Sequence, residues 1–201
     1  MSDLPVASPR ERLLAAADVL MLQRGYEAVG VAELCATAGT RKGSFYHFFE
    51  SKQALAVEML EHSWTRTREL IFAAAFDDER RTTIASFTRY GRLLAKQQRG
   101  FVERDGMLPG CRFGNFGAEL SGADEDVRAC VRRIFEEITA VFQAAIERGQ
   151  RRGEISSVCD ARKVAVRVLA HMEGLMIVAK VTRNPGVLEQ LGPVVEQLLQ
   201  P

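Results

Sequence analysis

The stretch most able to do chemistry runs Gly39-Thr40-Arg41-Lys42-Gly43-Ser44-Phe45-Tyr46-His47-Phe48-Phe49-Glu50-Ser51-Lys52. On a helix that begins near Arg41, helical spacing gathers Phe45, Phe48 and Phe49 toward a core. Arg41, Lys42, Ser44, Tyr46 and His47 are then left facing outward. No acidic residue stands between Glu33 and Glu50, so that face is locally positive. The unpaired N–H groups and positive dipole end of a helix start attract phosphate. Arg and Lys can grip guanine edges, Ser and Tyr can hold phosphates, and Gly43 lets backbone approach DNA closely. Lys52, at the next helix start, adds a further cation. Against this stands a plainer reading, in which Arg41 and Lys42 form a solvated helix face.

A second stretch, Leu108-Pro109-Gly110-Cys111-Arg112-Phe113-Gly114-Asn115-Phe116-Gly117-Ala118-Glu119-Leu120, places a cysteine beside an arginine near a helix start. Both neighbours lower a thiol pKa and favour a reactive thiolate. The alternative is a small buried apolar residue, the commonest fate of free cysteine. A third feature is an excess of apolar bulk in the C-terminal part: Phe87, Tyr90, Phe113, Phe116, Phe135, Phe142, Met172, Leu175 and Met176. These residues can fill a core or line a cavity between helices. Tyr90, Asn115, His171 and Glu173 are candidates to orient a ligand there. His171 and Glu173 interrupt an apolar run and, where buried, need polar partners. A metal pair between them is disfavoured, because residues two apart on a helix diverge.

The elements that must position these groups are helical throughout. Ser8-Pro9-Arg10-Glu11 reads as a capping box opening a helix that Gly25 ends. Its apolar stripe is Leu13, Leu14, Ala17, Leu20 and Met21. Short helices follow at about Val31–Ala38 and Arg41–Phe48, joined by a turn at Gly39, the spacing of a helix-turn-helix. Ser51 caps a long helix to about Phe76. Thr82–Gln98 is amphipathic. Residues 100–123 hold glycines at 100, 106, 110, 114, 117 and 122 and read as a loop or broken helix. Helices at about Asp124–Arg148, Asp160–Thr182 and Val187–Leu199 complete an all-α chain. The division expected is a DNA-binding domain over residues 8–52 and a helical ligand-binding and dimerisation domain over residues 53–200. Dimerisation is expected on the last two helices, through Val164, Val168, Leu175 and Ala179 in one and Leu188, Leu191, Val195 and Leu198 in the other, with Gly174 allowing close approach.

The first stretch resembles the signature of the TetR family of bacterial repressors: glycine, a short turn, lysine-glycine, a hydroxyl residue, an aromatic, tyrosine, then phenylalanine and serine-lysine. Leu13–Gly25 with Tyr26 resembles the family's first helix, and Val31–Gly39 its second. The resemblance covers residues 10–60 by motif and the remainder only by helix pattern and length. It implies a homodimer, a palindromic double-stranded operator with one half-site per N-terminal domain, and DNA release when a small-molecule inducer binds the larger domain. Two positions depart from the pattern. Val29-Gly30 stands where a phosphate-holding threonine is common, and Arg41 occupies a turn position where small residues are common. Gly110-Cys111 with Ala118-Glu119 resembles a subgroup whose N-ethylmaleimide- and electrophile-sensing member has its sensing cysteine at the matching place.

Composition sets the outer bounds. The 201 residues carry 27 Lys+Arg against 26 Asp+Glu, a net charge of +1, which excludes a polybasic tail but allows a local DNA-binding face. Cys35, Cys111, Cys130 and Cys159 show neither C-x-x-C nor zinc-finger spacing, so reduced thiols in a cytoplasm are expected. The Met1–Pro5 start lacks a signal-peptide pattern, and no apolar run reaches the roughly 18 residues of a membrane span. P-loop, H-E-x-x-H, G-x-S-x-G and G-x-G-x-x-G motifs are absent, so neither an enzyme nor a bound cofactor or metal is expected. The competing function is a helical interaction module without DNA binding, distinguishable by the absence of a salt-dependent DNA complex.

Overall fold

The structure is a computed structural model that describes residues 7–199; the Met1–Pro5 start and residue 200 lie outside the described residues. Every regular element among them is helical. The chain separates into two compact units, one comprising residues up to Trp64 together with Arg112–Val131, the other Thr65–Cys111 with Arg132 onward.

The first unit begins with α1, Pro9–Arg24. Its capping box forms as the sequence suggests. Ser8 Oγ accepts from the Glu11 N–H at 3.3 Å, and Glu11 Oε2 accepts from the Ser8 N–H at 2.7 Å. These bonds hold the Glu11 carboxyl below its ordinary value. α2 spans Val31–Thr37, α3 Lys42–Phe48 and α4 Lys52–Thr67. Leu13, Ala17, Leu34, Phe45, Leu55, Ala56 and Leu60 are fully enclosed and form the core of this unit. Ser51 caps α4, its Oγ accepting from the Ala54 N–H at 3.0 Å. α7, Arg112–Leu120, belongs to this unit although it lies far along the chain.

After α4 come a π-helical turn, Arg68–Phe72, and α5, Ala73–Phe76. α6 covers Thr83–Asp105, capped by Thr82 and closed by Gly106. It therefore runs one further turn and more beyond the Gln98 end read from the sequence. Gly100 sits inside it, at the modest cost a helix tolerates for glycine, and the 100–123 region is a broken helix with α7 after the break. α8 is Glu125–Arg151 and α9 Ala161–Thr182. The C-terminal helix is split, with a 3₁₀ segment at Pro185–Gln190 and α10 at Leu191–Leu198. α6 and α10 pack in the second unit. A Cβ on Gly91 would stand 2.5 Å from the Leu188 carbonyl oxygen, so only glycine permits that approach.

One expectation about faces is corrected. Val164, Val168 and Ala179 of α9, Leu188 of the 3₁₀ segment, and Leu191 and Val195 of α10 are buried inside the single chain, with Leu175 and Leu198 half-buried. They form core, not a surface stripe. α9 is apolar on more than one side, and its outward apolar set is Val166, Ile177, Val178 and Val181, with Gly174 exposed between them.

Candidate DNA-reading surface and effector residues

α3 is amphipathic in the way its spacing dictates. Phe45 is completely buried and Phe49 nearly so, with ring centroids 5.8 Å apart. Phe48 is only half-buried, its ring 4.9 Å from His47. Arg41, Lys42, Gly43, Tyr46 and His47 are exposed and Ser44 half-buried. Tyr46 stands 55% exposed while its ring packs edge-on against buried Phe45 at 5.2 Å, so its hydroxyl is presented outward on a fixed base. Arg41 sits at the N-cap position in an extended conformation, and neither α2 nor α3 has a side-chain cap, unlike α1, α6 and α9. The first amides of both short helices are thus left to other acceptors.

Lys52 is placed differently from these. Its Nζ donates to the carbonyls of Tyr26 at 3.1 Å and Val29 at 3.2 Å, and lies 3.8 Å from the centre of the Tyr26 ring. Two of its three N–H bonds therefore hold the α1–α2 turn. Tyr26 itself is buried, and that desolvation, with the nearby carboxylates of Asp124, Glu27 and Glu119, pushes its phenol up to about 12.

The residues proposed from sequence to meet a ligand divide between the two units. In the second, Phe87, Tyr90 and Phe142 interlock with Phe72 and Phe76; Phe142 lies 5.3 Å from Phe87 and 5.5 Å from Tyr90. Phe72 and Phe76 were not singled out by sequence, although their four-residue spacing is the signal that marks a helix face. Met172 is buried, and Phe135 and Leu175 are half-buried. In the first unit, Phe113 meets Trp64 edge-on at 6.0 Å and Phe116 meets Tyr26 at 6.3 Å, with Asn115 half-buried beside them in α7.

The second unit buries a few polar groups among its apolar side chains, Thr83, Ser86, Gln98 and Thr139 among them. Glu173 Oε1 is buried without a hydrogen-bond partner among the described residues. Burial raises the Glu173 carboxyl above its ordinary value, opposed by a hydrogen bond with the Cys111 side chain. Burial likewise drives the fully enclosed Tyr90 phenol well above its ordinary value, with Cys111 and Glu173 adding to the shift. Gln98 fixes the residue before the cysteine, its amide donating to the Gly110 carbonyl at 3.3 Å and accepting from the Gly110 N–H at 3.2 Å. His171 does not join this group. It is exposed, with Nδ1 2.8 Å from the Arg167 carbonyl oxygen, because two helical steps from Glu173 turn it to the other side. Among the described residues no cluster of His, Cys, Asp and Glu could hold a metal ion, and no helix is long and apolar enough to cross a membrane.

A short helix with a basic outer face, set on an aromatic base and joined by a tight turn to a second short helix, defines a helix-turn-helix DNA-binding protein. Comparison with known proteins makes the class specific. Residues 13–59 match the bacterial regulatory proteins of the tetR family, and residues 92–192 match the tetracyclin repressor-like C-terminal domain. The chain belongs to the TetR family of transcriptional regulators. It is 30% identical to the HTH-type transcriptional repressor DhaR of Mycobacterium sp. (strain GP1), over 96% of this chain and 92% of that one. It is also 30% identical to the repressor NemR of Escherichia coli (strain K12), over 90% and 88%. Among solved structures, the reduced form of E. coli NemR superposes with a TM-score of 0.80 at 28% identity, covering 96% of this chain and 97% of that one. Regulatory protein TetR from Rhodobacter sphaeroides gives 0.83 at 26%, covering 96% and 100%.

Proposed function

We propose that this regulator is a homodimeric repressor that binds a palindromic operator and lets go of it when a small molecule acts on the C-terminal body. The exposed face of α3 carries the proposal: Arg41, Lys42, Tyr46 and His47 lie outward over buried Phe45, with Ser44 and Gly43 between them. Arg41 and Lys42 read base edges, Tyr46 and Ser44 hold phosphate, and Lys52 supports both through the α1–α2 turn. Residues 8–52 are the DNA-reading segment and the remainder serves effector binding and dimerisation. The protein acts in the cytoplasm, as a regulator and not as an enzyme.

The dimer forms through the outward face of α9, where Val166, Ile177, Val178 and Val181 flank exposed Gly174. A two-fold dimer presents two copies of α3 to a two-fold site. Selection from random duplexes tests the reading: a two-fold symmetric site should be enriched, and recovery of unrelated sequences would remove it.

The effector acts within the second unit, where Tyr90, Cys111 and Glu173 interrupt the apolar interior, with Phe87, Phe142 and Met172 as its walls and Phe135 and Leu175 as further contacts. Release follows if the ligand binds better to an arrangement that cannot span both half-sites. Cys111 is the trigger: an electrophile that alkylates its sulfur adds bulk beside Glu173 and favours the releasing arrangement. N-ethylmaleimide should free operator from the wild type and not from Cys111→Ser. Equal release from both, or from neither, would make Cys111 a packing residue.

A further inference from the structure

The first unit contains a contact between residues 93 positions apart that no local motif reveals. Between α1 and α2 the chain turns through residues 25–30, and its peptide groups point to two sides. On one side the Glu119 carboxylate of α7 takes two consecutive amides. Oε2 accepts from the Tyr26 N–H at 2.9 Å, and Oε1 from the Glu27 N–H at 2.8 Å. On the other side Lys52 of α4 donates to the carbonyls of Tyr26 and Val29. The Val29 N–H closes the turn onto the Tyr26 carbonyl at 3.2 Å. Gly25 completes the fit. It has φ +85°, and a Cβ there would stand 3.1 Å from Glu119 Oε2, so glycine serves both the backbone and the carboxylate.

α7 is held at its other end as well. Arg112 pairs with Asp18 of α1 at 2.6 Å and bonds Ser63 of α4, whose hydroxyl donates to Asp18 at 2.9 Å. The carboxylate is therefore delivered by a helix anchored at both ends. Phe116, three residues earlier in α7, lies against the Tyr26 ring.

We propose that Glu119 is a positioning residue for DNA reading: with Lys52 it grips the Tyr26–Val29 turn from both sides and so sets the stance of α2 and, through it, α3. The proposal rests on the reading of α3 as the DNA-contacting helix. Glu119 is an exposed residue; its bond to the Glu27 amide is exposed and that to the Tyr26 amide part-buried. Its loss therefore relaxes the turn without opening the core, and affinity separates from stability.

The experiment uses the full-length protein and the operator recovered by selection from random duplexes. Wild type, Glu119→Ala and Glu119→Gln are compared by operator affinity, its salt dependence, thermal midpoint and amide hydrogen exchange. In Glu119→Ala the Tyr26 and Glu27 amides should exchange about tenfold faster, while those of α1 and α3 keep their protection. Operator affinity should fall about 3- to 10-fold, the effect of losing charge-assisted hydrogen bonds at a partly solvated site. The salt slope should stay as in wild type, because no phosphate contact is removed. Glu119→Gln keeps one acceptor oxygen and should fall between the two. Unchanged affinity despite faster turn exchange would overturn the proposal, as would a joint loss of protection in α1, α3 and the turn. If Glu119→Ala does not fold, the same two readouts on Glu119→Gln decide. If the wild type shows no sequence-specific complex, the proposal falls with the DNA reading, and the exchange pattern shows whether the grip itself was present.

Discussion

The reading unit and the helical body arrange their chemistry in opposite directions. In α3 the polar residues point outward from an aromatic base, Tyr46 resting on Phe45. In the body Tyr90 is enclosed against Phe72, Phe76 and Phe142, and Glu173 keeps a buried carboxylate oxygen while its side chain bonds Cys111. An outward face costs little to keep and can change with its operator. An inward polar group costs desolvation and persists only where something compensates. The difference teaches that α3 can be read from its own sequence, whereas the effector group exists only once distant helices have met.

Breaking the body should leave the reading unit intact. Phe142→Ala removes the ring that touches Phe72, Phe76, Phe87 and Tyr90. A loss of about 3–5 kcal/mol is expected by denaturant unfolding. An effect below about 1 kcal/mol would mean that this cluster is not closely packed.

A smaller effect concerns the outward face of α9. Ile177→Asp with Val181→Asp adds two carboxylates to exposed positions, so the folded chain tolerates them. In the proposed dimer they would be buried without partners. Light scattering at micromolar concentration should change from dimer to monomer. A persistent dimer would move the interface elsewhere.

The smallest effect sharpens the inward side of the comparison. The Glu173 carboxyl is raised in the folded state by burial. Its contribution is therefore fully present below the ordinary carboxyl range and is lost as pH rises through the folded value. Glu173→Gln, neutral throughout, should unfold near the wild-type temperature at about pH 4 and a few degrees above it at neutral pH. A difference that does not vary with pH would show that Glu173 gains no charge across that interval.

What the sequence made legible follows the same division. The Ser8–Glu11 capping box, the Gly25 stop and the aromatic base of α3 depend on residues within a few positions, and they form as their spacing implies, except that Phe48 is half-buried beside enclosed Phe45 and Phe49. α6 outruns its apparent sequence end because Gly100 counts as a breaker by composition, although a long amphipathic helix carries it. α9 hides its faces: an apolar helix offers stripes on several sides, and its sequence does not say which one the core takes. The Glu119 grip was beyond local reading altogether, since nothing near residue 119 points to amides 93 positions earlier. Lys52 was recognised as a cation at a helix start, and only the fold shows its ammonium turned onto two carbonyls.

The central claim, that the outward face of α3 reads DNA, is tested most directly by titrating the selected operator with a combined Arg41→Ala, Lys42→Ala and Tyr46→Phe variant. All three side chains are exposed, so the thermal midpoint should stay near that of the wild type. Specific affinity should fall by at least about 100-fold, given roughly 1–3 kcal/mol for a base contact and a lower salt slope for each phosphate contact removed. A folded variant that keeps wild-type affinity and salt dependence would contradict the claim.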